Sequence, residues 1–180
     1  HLAGASAPLA DLRMAGPRRG ATYRQEYMLR FMRIFISWSK PLSKSIAEAF
    51  AAWLPTVIQE CRDPFVSTDI SKGEAWFSTI VDELSEASIG VVFVTAENKS
   101  EPWLHFECGA MVKKLDRQKV CPVMVDIKKT DYEGPLTNLQ LTEMFDKEDF
   151  FGLVKSINLA CDHPLDEVVL REAFDIRWDR

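Results

Sequence analysis

Residues 89–95 read Ile-Gly-Val-Val-Phe-Val-Thr (IGVVFVT), a run that is apolar at almost every position and rich in β-branched side chains. A strand with one wet face alternates polar and apolar residues. This run does not alternate, so both of its faces are predicted to be covered, as in the centre of a parallel sheet. Ile34-Phe35-Ile36-Ser37-Trp38 reads as a second buried strand. Val120–Val125 (VCPVMV) reads as another, where Pro122, with no N–H to give a ladder, predicts an edge position or a bulge. Pro64–Ser67 predicts a short strand and Thr142–Phe145 a weak fifth.

Helical spacing fills the intervals. After a start signal at Ser39 and Pro41, Leu42, Ile46, Phe50, Trp53, Leu54 and Val57 predict a helix with one face on the sheet. Trp76, Ile80, Leu84 and Ala87 mark the inward face of a second helix, and Ser100 and Pro102 open a third through about Lys114. Asp149–Asn158 and Asp166–Phe174 complete the chain as helices. Strands alternating with helices in this way specify an α/β fold, a five-stranded parallel sheet with helices on both faces.

The chain has 180 residues, 47% hydrophobic and 27% charged, with a formal net charge of −5. That is the composition of a globular protein large enough to do without metal or disulfide staples. An acidic balance argues against direct nucleic-acid binding, whose footprint is basic. Charge is uneven along the chain: residues 1–33 hold six arginines against Asp11 and Glu26. Residues 1–31, rich in Ala, Gly, Pro and Arg, are expected to be a flexible leader, sequence added at cloning, or translation from upstream of a start at Met28 or Met32. A short basic helix over Thr22–Arg30 is the alternative. The core domain is expected over 32–160 and a C-terminal helical extension over 161–180. No apolar run approaches a membrane span, and no h-region of a secretory signal is present, so a cytoplasmic location is expected. Cys61, Cys108, Cys121 and Cys161 are widely spaced and the three histidines scattered, so no metal site is expected. Cys108 and Cys121, in apolar stretches, are expected to be buried thiols.

The chain carries no phosphate loop of the G-x-x-x-x-G-K-[ST] kind, no G-x-G-x-x-G after its first strand and no G-x-S-x-G elbow. What remains is placement. Ligands of open parallel sheets bind beyond the carboxyl ends of the strands. The segments there are Trp38–Pro41, Thr68–Gly73, Ala96–Trp103 and Asp126–Lys129. They offer Ser37, Trp38, Ser39, Lys40, Asp69, Ser71 and Trp103 as candidate binding residues. Trp103 and Glu107 stand four apart on the third helix, an aromatic plate beside a carboxylate. The plain alternatives are a solvated Glu107, a loop-bracing Asp69, and packing roles for Trp103, Ala110 and above all Phe106, with His105 exposed.

Four stretches together, IFISWS (34–39), STDISKGEAW (67–76), VVFVT (91–95) and PWLHFECGA (102–110), resemble a Toll/interleukin-1 receptor (TIR) domain, most nearly the bacterial ones, over about residues 32–160. The resemblance implies a flavodoxin-like sheet, with Thr68–Gly73 as the loop used in assembly. It also implies one of two functions. Receptor and adaptor TIR domains are scaffolds. Others cleave NAD+ with a glutamate on the helix after the third strand, in a W-x-x-x-E pattern that Trp103 and Glu107 match. Carried over, Glu107 is the catalytic carboxylate, Trp103 an aromatic wall that bears on whether a cyclic ADP-ribose isomer forms, and Ser37, Trp38, Ser39 and Lys40 the nucleotide-lining segment. Some enzymatic relatives have arginines where Ser39 and Lys40 stand.

The expectation is therefore an NAD+ glycohydrolase or cyclase in bacterial anti-phage immunity, with NAD+ as substrate and no cofactor. It is expected to self-associate through Asp69–Gly73 and to answer an activating partner protein or small-molecule signal encoded elsewhere. The alternatives are a non-catalytic TIR scaffold or host-TIR-binding virulence factor, and an enzyme related to nucleoside deoxyribosyltransferases.

Overall fold

The structure, a computed structural model, describes residues 32–67, 82–115 and 119–179, without the side chains of Trp103, Glu107 and Lys114. The leader 1–31, the loop with Asp69 and Ser71, and the helix positions Trp76 and Ile80 lie outside the described residues. Those described belong to one packing unit, Phe31–Arg180.

The elements follow the alternation of the sequence: β1 (Ile34–Ser37), α1 (Pro41–Val57), β2 (Phe65–Val66), β3 (Ile89–Val94), α2 (Pro102–Leu115), β4 (Val120–Met124), β5 (Thr142–Glu143), α3 (Lys147–Leu159) and α4 (Glu167–Arg177). A helical run at 82–86 precedes β3. The strands form one parallel sheet in the order β2-β1-β3-β4-β5. β3 lies at its centre, every residue buried, as a strand covered on both faces must be.

Strand alternation assigns the two cores. Ile34, Ile36, Val91, Phe93, Cys121 and Val123 pack with α1, α3 and α4 on one face. Phe35, Val92, Val94, Val120 and Met124 pack with α2 on the other, where Leu104, Cys108, Met111 and Leu115 recur at helical spacing. Each such side chain, fully buried, contributes about 1.5–3 kcal/mol. Gly90 permits the close approach of α2: a Cβ there would lie 2.4 Å from Met111 Sδ. Cys108 and Cys121 are buried as expected, and burial pushes the Cys121 thiol up to about 11.

Several local expectations need correction. The buried stripe of α1 is Ser43, Ala47, Phe50, Leu54 and Val57. Leu42 is 43% exposed, and Ile46 and Trp53 are half-buried on a flank. The reason is α4: its Phe174 stacks edge-on against Trp53, and Trp53 Nε1 donates to the Arg177 carbonyl at 2.9 Å. β4 is interior despite Pro122, pairing in unbroken register with β3. Pro122 is tolerated because β5 is two residues long and pairs only with Val123 and Met124, beyond the proline. α3 begins earlier than expected, because the Asp146 carboxylate caps it, accepting from the Glu148 and Asp149 amides.

α4 is part of the core, with Phe174 and Leu170 essentially inaccessible. Trp53→Phe, which removes its hydrogen bond to Arg177, is expected to cost about 1 kcal/mol and to lower the melting temperature by about 2–4 °C. An unchanged melting temperature would mean that this bond does not anchor α4.

Candidate functional site

The order of the sheet creates a crevice. From β1 the chain passes to β2 on one side and then returns to β3 on the other. α1, which follows β1, packs on one face, and α2, which follows β3, on the opposite one. The connections after β1 and β3 therefore diverge at the carboxyl edge, the switch point where open α/β sheets bind ligands. One connection contains Trp38, Ser39 and Lys40. The other runs from Thr95 to Glu101 and leads into α2, where Trp103 and Glu107 occupy the first two turns.

A buried polar knot ties the two connections together. Asn98 is inaccessible to solvent, and its Nδ2 donates to the carbonyls of Ser39 (2.9 Å) and Phe93 (3.0 Å) and to Ser43 Oγ (3.1 Å). Its Oδ1 accepts from the Thr95 amide at 2.7 Å, and Thr95 Oγ1 accepts from the Asn98 amide at 3.2 Å, a turn closed by side chains at both ends. Ser43 Oγ accepts from the Ser39 amide at 3.0 Å and donates to the Ser39 carbonyl. Asp126, after β4, accepts the Ala96 amide at 2.7 Å.

The expected binding residues differ in what they expose. Ser37 is completely buried at the end of β1. Trp38 is half-buried against the α1 core, with the Lys44 ammonium 5.0 Å above its ring, and its Nε1 finds no hydrogen-bond partner among the described residues. Ser39 is half-buried and bound into the knot. Lys40 is exposed and has φ 76° and ψ 159°, a backbone region that glycine favours and side chains resist at a cost of about 1–3 kcal/mol. Its ammonium pairs with Glu101 at 3.0 Å.

On α2 two expectations are overturned. Phe106 is 47% exposed and does not form the packing face, which belongs to Leu104, Cys108, Met111 and Leu115. His105 is half-buried rather than exposed, its Nε2 3.0 Å from the Lys99 carbonyl. The structure thus brings Ser37–Lys40 and the start of the Trp103–Glu107 helix to one crevice, while Asp69 and Ser71 lie outside the described residues. Sequence reasoning missed Asn98, Ser43, Glu101 and Asp126. The spacing of Thr95 and Asn98 was a turn signal that could have found the first; Ser43 gives none. A cavity of about 590 Å³ lies around Arg33, Glu48 and Asp63, away from this crevice. Among the described residues no cluster of metal-ligating side chains occurs, and no helix is long and apolar enough to cross a membrane.

Comparison with known proteins identifies the family. The family model described as TIR domain matches residues 34–155. No curated relative matches the chain. Among solved structures, the chain is similar to a metazoan TIR-STING receptor from C. gigas, solved in complex with 2',3'-cGAMP, at 22% identity and a TM-score of 0.52; the likeness covers 73% of this chain and 40% of the receptor. The chain therefore spans well under half of that receptor's length. It is also similar to the TIR domains of the activated Roq1 resistosome recognizing the effector XopQ, at 14% identity and a TM-score of 0.41, over 81% of this chain and 98% of that one.

Proposed function

The chain belongs to the TIR domain family, and from that premise we propose that it cleaves NAD+ between nicotinamide and ribose, with Glu107 as the catalytic carboxylate. One observation carries this reading: the W-x-x-x-E helix and the Ser37–Lys40 segment both leave the sheet at its switch point, where Asn98, in the connection leading into that helix, binds the Ser39 carbonyl.

Nicotinamide departs as a neutral molecule from a cationic pyridinium, so its departure needs no proton. A glycosidase that expels an alkoxide needs a second carboxylic acid; this reaction does not. A single carboxylate, holding ribose hydroxyls and placed against the oxocarbenium-like transition state, supplies the electrostatic stabilisation. Trp103 provides an aromatic wall that stacks on a ring and excludes water. Capture of the ribosyl cation by water gives ADP-ribose, nicotinamide and a proton. Capture by a nucleophile of the same molecule gives a cyclic ADP-ribose isomer instead. NAD+ is the substrate, and the chemistry calls for no further cofactor.

The setting we propose is bacterial defence against phage, in the cytoplasm, with activity switched on by self-association through Asp69–Gly73 in response to a partner protein or small-molecule signal. The chain incubated with NAD+ at high protein concentration is expected to release nicotinamide, with a specific activity that falls on dilution. The mass of the second product distinguishes hydrolysis from cyclisation. Specific activity unchanged over a hundredfold dilution would overturn the self-association. No nicotinamide release at any concentration would favour the non-catalytic scaffold.

A further inference from the structure

At the amino edge of the sheet, opposite the crevice, three sulfur atoms converge. Cys61 lies in the connection from α1 to β2 and Cys161 in the connection from α3 to α4, both within one buried core. Their thiols are in hydrogen-bonding contact with each other. Cys161 Sγ also lies 3.3 Å from Met32 Sδ and 3.6 Å from the Ile157 carbonyl, and the Met32 amide donates to the Glu60 carbonyl at 3.2 Å. The Glu60 carboxylate, next to Cys61, accepts from the Asp162 and His163 amides, next to Cys161, at 2.7 and 3.1 Å. This clamp holds the two connections together, so the thiols stay face to face. Neither cysteine belongs to a helix or a strand, which leaves the backbone at both free to adjust as the sulfur contact shortens to a bond of about 2.05 Å.

The pair divides into two roles. Cys161 is 8% exposed and Cys61 is inaccessible, so an oxidant reaches Cys161 first. The hydrogen bond to Cys161, together with burial, pushes the Cys61 thiol well above its usual range. A thiol held protonated is a slow nucleophile and, once in a disulfide, a slow leaving group. A bond between the two sulfurs therefore closes slowly and resists reduction. It would tie the connection that leads into α4 to the one that leaves α1, and would restrict the unfolded chain over the whole stretch from 61 to 161.

We infer that Cys61 and Cys161 form a latch closed by hydrogen peroxide, a disulfide that fastens the C-terminal helix to the core. The Cys161 thiol gives up its proton and its sulfur attacks one peroxide oxygen. The O–O bond breaks, the departing hydroxide takes up that proton as water, and a sulfenic acid remains. The Cys61 sulfur then attacks the Cys161 sulfur, and the expelled hydroxide leaves with the Cys61 proton as a second water. Two thiols are oxidised to one disulfide and one peroxide is reduced to two waters. In reducing surroundings the pair stays open, as in the structure. The latch lies away from the crevice and does not depend on the NAD+ reading.

The wild-type chain is incubated with hydrogen peroxide at mildly alkaline pH and the reaction is stopped with catalase. Remaining thiols are alkylated in denaturant, disulfides are located by peptide mass mapping, and thermal melts are recorded before and after. The expected product is the Cys61–Cys161 cross-linked peptide, with Cys108 and Cys121 alkylated. The melting temperature is expected to rise by about 5–10 °C and to return to its starting value with a phosphine reductant. Cys61→Ala and Cys161→Ala are each expected to lose both the cross-link and the rise. Either substitution removes a buried side chain and lowers the starting melt, so oxidised and reduced forms are compared within each protein. The wild-type comparison stands even where a variant does not fold. Peroxide that leaves Cys61 and Cys161 open to alkylation, or that adds oxygen to Met32 while both thiols remain free, would overturn the inference. So would a cross-link that leaves the melt unchanged, or a rise that persists in Cys61→Ala.

Discussion

Asn98→Ala is expected to destabilise the fold by about 3–5 kcal/mol, lowering the melting temperature by roughly 6–15 °C. The substitution deletes one acceptor and one donor group that together serve four partners: the Thr95 amide, the Ser39 and Phe93 carbonyls and the Ser43 hydroxyl. Asn98 and Thr95 are inaccessible, so water does not replace what is lost, and each buried group left unmet costs about 1–3 kcal/mol. Asn98→Asp gives a sharper test. Its carboxylate keeps the bond from the Thr95 amide but faces three acceptor oxygens, so burial raises its pKa above the unfolded value near 3.9. The variant is therefore at its most stable at low pH, where the acid is neutral in both states, and loses stability as pH rises and the folded chain resists ionisation. Chemical denaturation at pH 5 and pH 8 reads this directly. A melting temperature within 2 °C of wild type for Asn98→Ala would show that the knot does not hold the two connections.

Glu107→Gln is expected to reduce NAD+ cleavage about 10³-fold, the scale on which a pre-organised electrostatic group acts on a developing charge. Such a loss corresponds to about 4 kcal/mol of transition-state stabilisation. Gln has nearly the shape and helix propensity of Glu, so the fold should be preserved, with a melting temperature shift of about 2 °C or less. Loss of activity with retained stability separates a catalytic carboxylate from a structural one.

The parts of this account that were legible in the sequence are those governed by local pattern. Residues 89–94 had no polar side chain to turn outward, and β3 lies at the centre of the sheet. Pro41 marked the start of α1 and Pro102 that of α2 because their fixed φ suits a first helical turn. The errors arose where a distant element decides. The apolar stripe of α1 reads equally well through Leu42, Ile46 and Trp53; the docking of α4 is what leaves Trp53 on the flank. Pro122 was read as an edge signal, and only the shortness of β5 explains why an interior strand accepts it. Phe106 looked like core by its chemistry, but α2 buries Leu104, Cys108, Met111 and Leu115, and Phe106 falls outside that stripe. The crevice shows the same division. Trp103 and Glu107 were visible as a spaced pair, whereas the role of Asn98 depends on a residue 59 positions away, which no local spacing contains.

Glutamate-dependent cleavage of NAD+ is read by following nicotinamide release from NAD+ by the wild-type chain and by Glu107→Gln, side by side at high protein concentration, with thermal melts of both. Wild type is expected to turn over NAD+, the variant to lose about three orders of magnitude in rate, and the two melts to superimpose. Undiminished nicotinamide release by a folded Glu107→Gln would contradict it.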